Sequence, residues 1–131
     1  METTLGGALT GIGDTPLVEL VRVVPPGSAR VMAKLEWANP TGSMKDRMAR
    51  AAIEAAAGDG RLRPGDTVVE YTAGTTGISL AFVCAALGYR LHIVFSDAFS
   101  VEKRRTMRAF GAVIEDIPAT PAESPRPSSR A

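Results

Sequence analysis

The sequence predicts an α/β domain, a small parallel sheet in a three-layer αβα arrangement with a strand pair ahead of it. Three observations carry this. From Thr67 onward, short β-prone runs alternate with helical runs at the spacing of βαβ units. The run Ile78 to Leu87 reads as apolar around its whole circumference, as in a helix covered on both sides. Two further β-prone runs flank Pro25-Pro26-Gly27.

Taken in order, Met1 to Thr10 is small and polar and reads as a loose lead-in. Thr15 to Val24 is strand-like, and the Pro-Gly turn leads into a second run from Arg30 to Trp37. The two can pair as a hairpin with Lys34 and Glu36 on one face and Met32, Leu35 and Trp37 partly buried. Pro40 and Gly42 break the chain. Ser43 followed by Asp46 resembles a capping box, so a helix is expected from Met44 to about Ala57. Met44, Met48, Ala51, Ala52 and Ala55 would line its buried face, with Asp46 and Arg50, and Arg50 and Glu54, paired at i, i+4 on the solvated side.

Gly58-Asp59-Gly60 ends that helix, and Thr67 to Tyr71 reads as a short buried strand. Gly88 closes the apolar helix, and Leu91 to Phe95 is a second buried strand. Ser100 caps a basic helix reaching about Phe110, Gly111 stops it, and Ala112 to Ile117 is the last strand. From Pro118 the composition turns to Pro, Ala, Ser and Thr, as in a disordered tail. Three regions follow: 1–10, 11–117 and 118–131.

The 131 residues amount to one domain, and 15 basic against 14 acidic side chains leave no charged block that would call for nucleic acid or a membrane surface. A single cysteine, Cys84, leaves no internal disulfide. The N-terminus lacks the basic and apolar regions of a signal peptide, and no apolar run is long enough to span a bilayer. A cytoplasmic protein with a small-molecule ligand is the expectation. No His, Cys, Asp and Glu spacing marks a metal site; His92 lies within a strand without a ligand partner nearby in sequence.

Lys45 is the candidate for chemistry. It falls in the first helical turn, where unpaired N–H groups and the positive end of the helix dipole disfavour an ammonium and favour a nucleophilic neutral amine. A solvated lysine balanced by Asp46 fits the same pattern. Thr72-Ala73-Gly74-Thr75-Thr76-Gly77, between a strand and a helix, offers hydroxyls and amides suited to an anion, although plain helix caps look alike. No Lys follows its second Gly, as a Walker loop would require.

Glu36 to Arg47, with Asn39-Pro40-Thr41-Gly42-Ser43-Met44-Lys45-Asp46-Arg47 at its centre, resembles the signature of the cysteine synthase and cystathionine beta-synthase family of fold-type-II pyridoxal-phosphate enzymes. Gly11 to Val18 and Glu70 to Ala81 resemble two further family segments in the same order. The resemblance implies that Lys45 holds pyridoxal 5'-phosphate and later removes the α-proton of an amino-acid substrate. It implies that Thr72, Ala73, Gly74, Thr75 and Thr76 grip the substrate carboxylate, with Thr75 beside the cofactor ring. The reaction implied is β-elimination or β-replacement on a substrate such as O-acetylserine.

The loop departs from the family's usual Thr-Ser-Gly-Asn-Thr-Gly, with Ala73 in place of serine and Thr75 in place of asparagine; both changes remove hydrogen-bonding capacity. The resemblance stops near Ile117, short of the family's phosphate cradle. A fragment weak or inactive alone is therefore expected. The alternative is a non-catalytic truncated paralogue that self-associates or pairs with a full-length relative through uncovered apolar surface.

Overall fold

The computed structural model describes residues 7–119. A short 3-10 turn, Gly7–Gly11, comes first, so the end of the expected lead-in is ordered, with Leu9 buried in the core. Strands β1 (Leu17–Glu19) and β2 (Met32–Lys34) then form the expected antiparallel hairpin, with Leu17 opposite Lys34 and Glu19 opposite Met32. Its apolar side chains are not partly buried as a set. Glu36–Ala38 turns into a 3-10 helix that leaves Trp37 68% exposed, because no described element packs over it.

Helix α1 (Lys45–Gly58) buries a different face from the one its apolar spacing indicates. Asp46, Ala49 and Ile53 point inward, while Met44, Met48, Ala51, Ala52 and Ala55 lie exposed. The helix is anchored through polar Asp46, and that fixes its rotation. Arg50 consequently pairs with Glu54 at 2.8 Å and reaches the Leu9 carbonyl at 3.1 Å, not Asp46.

Strands β3 (Thr67–Tyr71), β4 (Arg90–Ser96) and β5 (Val113–Ile117) make a parallel sheet in the order β3-β4-β5. Helix α2 (Thr75–Leu87) connects β3 to β4, and α3 (Val101–Ala109) connects β4 to β5. A sheet built in one direction by right-handed crossovers puts both helices on the same face. There Leu91, Ile93 and Phe95 of β4 pack with Val83, Cys84 and Met107. Helix α1 packs on the far side of α2, so α2 is covered from both sides, as its apolar sequence requires.

The parallel α/β class and the preceding strand pair are as expected. Residues 7–119 supply no helix for the other sheet face: Val69 and Val113, in register on either side of His92, are 65% and 61% exposed. Strand β3 is thus an edge strand with one face open, not a buried one. His92 bonds Glu115 at 3.0 Å on that open face, in the structural role expected of it. The rest of the predicted tail, residues 120–131, lies outside the described residues.

Candidate active site

Helix α1 begins at Lys45 because the preceding turn, with Gly42 at φ 75°, folds back on the carboxylate of Asp46. The capping box does not form. Ser43 Oγ accepts from the Lys45 amide at 3.0 Å, but Asp46 turns into the protein and is fully buried. Its Oδ2 accepts from the Thr41 amide at 2.8 Å, and its Oδ1 accepts from the Thr41 hydroxyl and, at 2.6 Å, from Ser79 Oγ of α2. A buried carboxylate is tolerated only with its lone pairs satisfied, and three donors do so here. Asp46 is therefore a tie between α1 and α2 rather than a surface counter-charge for Lys45.

A second polar cluster fixes the other end of the signature. Glu36 accepts two bonds from Arg47, both at 3.1 Å, one from Thr15 Oγ1 at 2.7 Å and one from Asn39 Nδ2 at 2.8 Å. Arg47 first, then Thr15, hold its carboxyl down at about 2. Buried Asn39 also accepts from the Gly13 amide at 3.0 Å, which joins the opening segment to the signature.

The loop after β3 is shaped from within. The buried Thr72 hydroxyl oxygen accepts from the amides of Gly74 at 3.1 Å and Gly77 at 3.2 Å, and so acts as the cap of α2. The amides of Thr75 and Thr76 have no partner among the described residues. Gly74 is essential at φ 137°, and Gly77 sits where a Cβ would come within 2.5 Å of both Met107 Sδ and Thr72 Cγ2.

Lys45 and the loop, about thirty residues apart in sequence, meet at one cavity of about 260 Å³ whose lining is Lys45, Thr72 to Thr76 and Lys103 of α3. All the expected site residues are therefore together. Lys45 also borders a larger, open cleft of about 480 Å³ shared with Met44 and Met48. Lys45 has no ion pair among the described residues, which leaves its amine available.

Two participants were missed by sequence reasoning. Ser79 is the one hydroxyl within the run read as wholly apolar, and that exception was its signal. Lys103 lies in the helix whose basic composition alone gave no sign of a site; its basic residues are not equivalent, since Arg104 pairs with Asp116 at 3.0 Å and stacks over Phe95. Thr72, expected in the loop, lines the cavity and in addition caps α2. Cys84 is a packing residue of the core, and burial pushes its thiol up to about 11. Among the described residues no cluster could hold a metal ion, and no helix is long and apolar enough to cross a membrane.

The family model described as pyridoxal-phosphate dependent enzyme matches residues 8–127. A cysteine synthase from Staphylococcus aureus is 49% identical over 111 residues, 85% of this chain and 36% of its own length. Cysteine synthase B of Escherichia coli is 48% identical over 101 residues, 77% of this chain and 33% of its own. Among solved structures, O-ureido-L-serine synthase superposes with a TM-score of 0.80 at 43% identity, over 90% of this chain and 36% of that one. An O-acetyl serine sulfhydrylase isoform from Entamoeba histolytica gives 0.78 at 43% identity, over 82% and 33%. The chain spans about a third of the length of these relatives. With a structural match and a family match covering most of its residues, the chain belongs to the pyridoxal-phosphate-dependent enzyme family.

Proposed function

We propose that this chain carries the lysine and the substrate loop of a cysteine synthase-like enzyme, which performs β-elimination and β-replacement on a β-substituted amino acid such as O-acetylserine. The observation behind it is the shared cavity of Lys45 and Thr72 to Thr76. The residues fit part of a pyridoxal 5'-phosphate site: an amine without an ion pair beside amides without a partner. Lys45 would hold the cofactor and Thr75 would stand beside its ring. When bound, pyridoxal phosphate supplies the electron sink for charge developing at the substrate Cα.

The chain's own residues do the rest. The amides of Thr75 and Thr76, at the positive end of α2, bind and orient the substrate carboxylate. The amine of Lys45 takes the α-proton as general base. Thr72 keeps the loop in shape through its two amide bonds. A cytoplasmic setting accords with small-molecule metabolism of this kind. Residues 11–117 form the enzyme part on this reading, between a lead-in and a tail, and activity of the chain alone is weak.

The test is to mix the chain with pyridoxal phosphate, reduce with borohydride and map the labelled peptide, with Lys45→Ala as control. Label confined to Lys45 and lost in the variant is the expected result. Label spread equally over Lys34, Lys45 and Lys103 would overturn it.

A second reading, a non-catalytic interaction module that self-associates or pairs with a full-length relative, is favoured by the open sheet face bearing Val69 and Val113. Concentration-dependent sedimentation without cofactor binding is its signature.

A further inference from the structure

Lys103 is the other cation of the cavity, and its placement is specific. The side chain leaves the first turn of α3, where its amide donates to Ser100 Oγ at 3.4 Å, and runs directly over Gly74. A Cβ on Gly74 would lie 2.1 Å from Lys103 Cδ and 3.1 Å from Cε. With the side chain in this position a Cβ on residue 74 would displace the stem, and the φ of 137° there is one that glycine adopts readily. The ammonium has no ion pair among the described residues: adjacent Glu102 is engaged by the Ser100 hydroxyl at 2.7 Å, and Asp116 is taken by Arg104 and Arg108. The cavity lining holds two lysines and no acid.

We propose that Lys103 is a specificity-determining residue of this site, its ammonium carried across Gly74 to bind the α-carboxylate of the amino-acid substrate beside the unpartnered amides of Thr75 and Thr76. This rests on the carboxylate-loop reading above. A charge-assisted bond at a partly screened site corresponds to about a five- to tenfold effect on binding.

The test titrates the isotope-labelled chain with L-alanine and, separately, L-alaninamide, following the amide signals of Gly74, Thr75 and Thr76. L-Alanine should shift these signals and the amide should not. Lys103→Gln should raise the half-saturating L-alanine concentration about five- to tenfold, and Lys103→Arg should restore it to within about twofold. Equal affinity of Lys103→Gln and the parent chain, or no response to L-alanine in the parent, overturns the proposal. The borohydride experiment reports separately on Lys45. Selective label at Lys45 with an inert Lys103→Gln variant removes Lys103 alone. Charge-dependent L-alanine shifts without selective label support Lys103 while removing the cofactor assignment.

Discussion

Asp46 follows Lys45 directly, yet the two side chains part company: the amine borders a cavity and the carboxylate is sealed between Thr41 and Ser79. Asp46→Ala would strand the Thr41 amide and the Ser79 hydroxyl in the interior. It should cost about 3 kcal/mol, read from urea unfolding, and should blur the selectivity of borohydride labelling for Lys45. Glu36 behaves differently because its partners hold it near the surface. Its carboxyl lies at about 2 in the fold against an ordinary 4.5, so its stabilising share is complete above about 4.5 and fades as pH falls through about 2. Glu36→Gln should therefore be the less stable protein at neutral pH, with the gap closing across that acid interval in urea titrations at stepped pH.

Among the elements, α2 bears the most constraint: sheet on one side, α1 on the other, and the threonine loop at its start. Gly77→Ala would push a methyl into Met107 and Thr72. The expected loss is about 1–3 kcal/mol, measurable as a lower thermal midpoint, with the Thr72 cap displaced as well. Helices α2 and α3 and the alternation of strands with them were legible in the sequence because Gly88, Ser100 and Gly111 punctuate them and burial on two sides leaves a uniformly apolar run. The facing of α1 was not. Its five apolar positions form a stripe at helical spacing, and such a stripe normally faces the core. Here one buried carboxylate outweighs that stripe, and a carboxylate with its three donors is visible only once Thr41 and Ser79 are seen in space.

At the scale of the molecule, the sequence was readable where local signals fix an element's existence, as in the break before Lys45, the threonine loop before α2 and the pairing of β1 with β2. It was silent where the decision depends on what lies opposite. The openness of β3 and the exposure of Trp37, Met44 and Met48 follow from the absence of a covering layer in residues 7–119, and their apolar composition is that of covered surface. The whole-molecule expectation is that the sheet's open face and the cleft beside Met44 and Met48 are the parts that change when a larger partner surface is present, while the cavity of Lys45 does not.

The tie through Asp46 makes the last point mechanical. Thr41 on the signature turn and Ser79 on α2 share one carboxylate, so the lysine and the threonine loop belong to a single rigid block with almost no slack between them. Relative motion of these two halves would have to break the bonds to Asp46, so on the proposed function a closing stroke over a bound amino acid would carry lysine and loop together.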